Sequence, residues 1–125
     1  KMNKNLNKIS YERAYQMEGY KTITREELVQ ILQVFRDCTV LLSVFNFVKG
    51  SVIFEKFDFR VYTSKNNQIM LSLTSEEMEN CWNLELEEIE EIMIDEDIQE
   101  YNYAELSGNQ VILKYFNGLI AEIVF

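Results

Sequence analysis

The sequence predicts an α+β domain. An antiparallel sheet of about six strands follows two helices, includes one short helix, and assembles as a homo-oligomer. Three observations carry that expectation. Apolar residues recur at helical spacing in the first third of the chain and at strand spacing beyond Thr39. Proline is absent, so nothing divides the 125 residues; they suit one domain, helical over 1–36 and mainly sheet over 39–125. Hydrophobic content of 47% and aromatic content of 13% belong to an ordered globule.

Along residues 5–20, Leu6, Ile9, Arg13, Ala14 and Met17 fall near helical spacing, with Gly19 as the stop. Thr24-Arg25-Glu26-Glu27 reads as a capping box, and Leu28, Ile31, Leu32 and Phe35 then form the apolar stripe of a core-facing helix. The stretch 39–48 is β-branched and aromatic on both faces, as a central strand is. After Lys49-Gly50 a longer strand is expected over 51–63. Ser64 to Asn67 form a turn and 68–73 the next strand. Thr74-Ser75-Glu76-Glu77 repeats the capping signature and predicts a short helix ending near Trp82. A helical turn at 85–88, a strand over 89–94 and a short strand at 101–106 follow. The chain closes in a hairpin with Asn117-Gly118 in the type I′ position. That pairing sets Phe116 against Leu119, Lys114 against Ala121 and Leu113 against Glu122. Two short helices leave part of a doubly apolar sheet uncovered, and the homo-oligomer is the expected cover.

The net charge of −9 is unevenly spread. Residues 74–105 carry thirteen acids and no base, whereas 36–65 carry Arg36, Lys49, Lys56, Arg60 and Lys65 against three acids. The middle segment suits an anion; no basic stripe suits double-stranded DNA. Histidine is absent, and Cys38 and Cys81 fit no metal-ligand spacing, so neither a metal nor a cofactor is expected. Both thiols read as small hydrophobes of a reduced, cytoplasmic protein. No apolar run reaches the ~18 residues of a membrane span, and the Lys- and Asn-rich start is not a signal peptide. Asp95-Glu96-Asp97 lacks the glycine and spacing of a calcium loop. No phosphate-binding glycine loop, nucleophile elbow or catalytic carboxylate pair is present, so no enzyme is expected.

The residues that point to binding lie around one alternating strand. Phe57, Phe59 and Val61 share one face; Lys56, Asp58, Arg60 and Tyr62 share the other. A guanidinium beside an aromatic ring suits a nucleotide, with a fork for phosphate and a plane for the base. Asn66 and Asn67 at the following turn offer amide hydrogen bonds. Arg36, Phe57, Trp82 and Asn83 complete the candidate pocket. The structural alternative is a solvated charge ladder of Lys56, Asp58 and Arg60, with Trp82 as a core anchor.

The run DFRVYTSKNNQIMLSL, the segment CWNLELEEIEEIMID and the closing hairpin resemble the phage-encoded anti-Thoeris sponge family in composition, length and element order. The resemblance implies a non-enzymatic, oligomeric viral protein. It would hold cyclic ADP-ribose isomers, the signals of bacterial TIR enzymes, away from their effector. A competing expectation comes from the acids of 74–105: a protein-binding inhibitor such as a nucleic-acid mimic, an anti-CRISPR-like protein or a toxin's immunity partner. A structural or assembly protein is the third.

Overall fold

The computed structural model describes residues 19–46, 49–77 and 80–125. Among them the chain forms β1 (Tyr20–Ile23), a helix α1 (Arg25–Val34), β2 (Val40–Phe45), β3 (Gly50–Phe54), β4 (Phe57–Thr63) and β5 (Ile69–Ser75). It continues through β6 (Cys81–Glu85), β7 (Ile89–Asp95), β8 (Gln110–Tyr115) and β9 (Ile120–Val124). Six strands pair in the order β1-β7-β8-β9-β2-β3 and three in the order β4-β5-β6, every pair antiparallel. Among the described residues half are strand and α1 is the one helix of seven residues or more, so the described part is mostly β and the α+β expectation is corrected.

The cap of α1 forms as the sequence requires. Thr24 accepts from the Glu27 amide, and the Glu27 carboxylate accepts from the Thr24 amide at 3.0 Å. Leu28, Ile31 and Leu32 turn inward from the helix. They join one core with Val40, Leu42 and Phe54 of the large sheet and Phe57, Leu71, Leu73 and Leu84 of the small one. The cover that the sequence left to a neighbouring subunit is therefore, on this face, the chain's own second sheet. On the opposite face of the large sheet Phe45, Met93, Ile112 and Ile120 form a second buried cluster, with Tyr20 against it.

Three expected elements are corrected. The helix expected over 5–20 lies outside the described residues up to its expected stop, where Gly19 takes a φ of 77° and Tyr20 then opens β1, a strand the sequence reading did not place. The single strand over 51–63 is two strands in different sheets. Phe54 and Phe57 differ in parity, yet both are fully buried, because Lys56 takes a φ of 51° and turns the chain between them. Their rings meet edge-on at 6.1 Å. The helix expected from Thr74 is absent: β5 runs to Ser75, paired with β4 and β6, and Glu76 and Glu77 form a turn. Tertiary pairing there overrides a local capping pattern with little apolar stripe behind it. Residues Tyr103–Leu106 are a 3-10 turn and not a strand, since β8 already has a neighbour on each side.

The helical turn at Leu86–Glu88 and the strand that follows it are present. The closing hairpin forms one residue out of the expected register, with Lys114 opposite Ile120 and Leu113 opposite Ala121. Tyr115 accepts from the Gly118 amide and donates to the Leu119 carbonyl, which makes a three-residue loop with Gly118 at a φ of 92°.

Candidate functional site

The small sheet has an inner face, Phe59–Leu73–Trp82 and Val61–Leu71–Leu84, and an outer face on which Arg60, Ser72 and Asn83 stand in one cross-strand row. Strand alternation sends Arg60, Tyr62, Ser72, Cys81 and Asn83 outward together. The Arg60 guanidinium lies 5.0 Å from the centre of the Tyr62 ring, and the Tyr62 hydroxyl donates to Asn83 Oδ1 at 3.4 Å. Between them Ser72 is only 4% exposed and its Oγ sits 3.2 Å from Cys81 Sγ. The result is a shallow polar platform with an arginine at one edge and an amide at the other.

Of the nine residues read from the sequence, three meet here: Arg60, Tyr62 and Asn83. Arg36 stands over the Phe59 ring at 4.5 Å and is ion-paired to Asp58 at 3.1 Å. That engages it with the flank of β4. Phe57 is fully buried and belongs to the core. Trp82 faces inward, half-buried against the core, so it anchors the small sheet and offers no stacking surface on the platform. Asn66 and Asn67 occupy the β4–β5 turn, where Asn67 takes a φ of 62° and both amides bond to Ser64; their role there is turn geometry.

Lys56 lines a different cleft of about 330 Å³, among Asp37, Glu55, Glu76 and Glu77, with its Nζ 3.7 Å from Glu76. So much negative charge opposes a phosphate there. A further cleft of about 320 Å³ opens on the far side of β6, lined by Trp82, Asn83, Glu85, Glu88, Tyr115 and Asn117. The Tyr115 hydroxyl is buried there without a hydrogen-bond partner among the described residues. Burial first, and then the charge of Glu85, pushes it well above the usual phenol range.

Sequence reasoning missed Ser72, Cys81 and Tyr115. The alternation Leu71-Ser72-Leu73 carried the signal for Ser72, because an outward serine between two core leucines has to face whatever β4 and β6 present. Both cysteines are exposed, against the expectation of small buried hydrophobes. Chemically the platform supplies hydrogen-bond donors and a cation. Among the described residues its thiol touches a hydroxyl and an amide oxygen and no general base. Among the described residues no group of acids, thiols or imidazoles is arranged to hold a metal ion, and no helix is long and apolar enough to cross a membrane. No family model matches the sequence, nor does a curated protein or a solved structure.

Proposed function

We propose that the chain is a non-enzymatic binding protein that captures a cyclic ADP-ribose-like nucleotide on the outer face of the small sheet. It would thereby withhold the signal from a TIR-dependent (Thoeris) defence effector, as a phage-type anti-defence sponge in the bacterial cytoplasm. One observation carries the reading: the chain of contacts from the Arg60 guanidinium to the Tyr62 ring and on to the Asn83 amide. A guanidinium so placed presents its fork to a pyrophosphate while the adjacent amide and hydroxyl reach a ribose or base edge. Holding without turnover needs no proton-transfer machinery, which agrees with a chain lacking histidine. The particular ligand rests on the resemblance noted above. The test is a thermal-shift screen with cyclic and linear adenine nucleotides, followed by mass spectrometry of the ligand released on heat denaturation. An intact nucleotide supports the reading; no shift with any nucleotide, or recovery of a cleaved product, overturns it.

A second reading is favoured by a separate observation. The Arg25 guanidinium donates to the carbonyls of Leu86 and Ile89, both at 2.6 Å. Among the described residues the exposed carboxylates of Glu87 and Glu88 form no ion pair, Glu87 accepting the Ile69 amide at 3.2 Å. Such a surface suits an inhibitor that occupies a cationic groove of another protein. A complex with a basic nuclease that weakens with salt, and weakens again on Glu87→Gln and Glu88→Gln, supports it; indifference to both overturns it.

A further inference from the structure

Among the described residues no strand pairs with the outer edge of β4 in the small sheet. Phe57 donates its amide to the Cys38 carbonyl and accepts from the Asp37 amide, so its backbone groups point away from β5. In an antiparallel ladder the same direction recurs at every second residue, which turns the backbone of Phe59, Val61 and Thr63 toward the same edge. There the Phe59 amide donates to the neighbouring Asp58 carboxylate, at 2.8 Å. Val61 is 43% exposed, and Ile69, beside Thr63 on β5, is 41% exposed. By contrast the edge at β3 is obstructed, since Asn80 Nδ2 donates to the Ile53 carbonyl at 3.1 Å.

We propose that a second copy of this chain pairs with this edge, β4 against β4, about a two-fold axis at Val61. Only this register uses the Val61 and Thr63 groups together. Val61 faces the partner's Val61 and Phe59 faces the partner's Thr63, for about four main-chain hydrogen bonds, and about six once the Asp58 carboxylate gives up the Phe59 amide. Centring on Phe59 would demand the groups of Phe57, which Asp37 and Cys38 already hold. Centring on Thr63 would run the strand into the turn that begins at Ser64. The Val61 register also satisfies the side chains. Arg60 falls opposite the partner's Tyr62 on the outer face, so the charge that would deter like-with-like pairing meets an aromatic ring instead of another cation. On the inner face the two Val61 side chains cover one another, and Ile69 gains a neighbouring apolar surface. The pairing depends on edge geometry alone, so failure of nucleotide capture leaves it standing.

Sedimentation of the full chain should give twice its 14.9 kDa mass. Val61→Lys sets two ammonium groups face to face on the axis and should give a folded monomer whose melting temperature no longer depends on protein concentration. In a Cys38→Ser, Cys81→Ser background, Val61→Cys should cross-link to a dimer on mild oxidation, since paired residues there are about 5.5 Å apart at Cα. A monomeric wild-type chain, a dimer that survives Val61→Lys, or a dimer without the Val61→Cys cross-link overturns the proposal.

Discussion

Glu122 of β9 stands directly opposite Ile112 of β8, with Ser43 of β2 on its other side. This pairing buries a carboxyl on an apolar sheet face. Glu122 is 5% exposed, its Oε2 has no hydrogen-bond partner among the described residues, and Ile112 and Ile120 lie on the same face.

Burial raises the Glu122 carboxyl to about 7. The fold therefore favours the protonated form. The stability it contributes is complete below the ordinary carboxylate range and is lost as pH rises through neutrality. Thermal melts should show the protein losing stability from about pH 5 to about pH 8, and Glu122→Gln should flatten that slope. An unchanged slope in Glu122→Gln would exclude this carboxyl as its origin.

Thr24→Ala removes the hydroxyl that accepts from the Glu27 amide in the α1 cap, leaves the bond from the backbone amide of residue 24 to Glu27, and should cost about 1 kcal/mol. Glu27 is held below its usual range, first by its bond from the Thr24 amide, against an opposing effect of burial and with help from the Tyr103 hydroxyl at 2.9 Å. Its contribution is thus present above the ordinary carboxylate range and lost on acidification. Urea midpoints of Thr24→Ala and the parent at neutral pH check the cost.

Lys56→Gly relieves a left-handed backbone at the crossing between the sheets. It should stabilise by up to about 1 kcal/mol, partly offset by the extra freedom of glycine in the unfolded chain. The exposed ion pair with Glu76 adds little to the balance. Destabilisation in denaturant melts would count against the turn geometry.

Gly118→Ala places a Cβ at a φ of 92° in the β8–β9 loop and should cost about 1 kcal/mol or more. The same melts apply, and an unaffected variant would argue for a different loop.

Arg60→Ala should weaken nucleotide binding while leaving the melting temperature unchanged, because the side chain is exposed. Loss of one charge-assisted contact corresponds to roughly 1.5–3 kcal/mol, or about ten- to a hundred-fold in Kd by calorimetry. Trp82→Ala should instead lower stability, since that ring packs on the core. Equal affinity in Arg60→Ala would remove the platform from the site.

The capping box at Thr24, the stripe Leu28–Ile31–Leu32 and the alternation of Phe57, Phe59, Arg60 and Tyr62 were all legible, because each depends on neighbours a few residues away. The same locality explains the misreadings. Thr74-Ser75-Glu76-Glu77 has the chemistry of a helix start, but β4 and β6 flank it in space and claim its backbone. Phe57 and Trp82 carry the ring chemistry of a binding pocket, and only packing assigns them to the core.

What the sequence determined by itself is the periodic part: one capped helix, the run of strands, the turn residues and the outward placement of Arg60 beside Tyr62. What only the tertiary structure decided is which strands share a sheet, where the chain changes sheets and which residue Glu122 faces. Hydrogen-bonded pairing between distant strands is set by mutual burial of their faces. A one-residue shift, as at Lys56 or in the closing hairpin, reverses those faces without altering the local pattern.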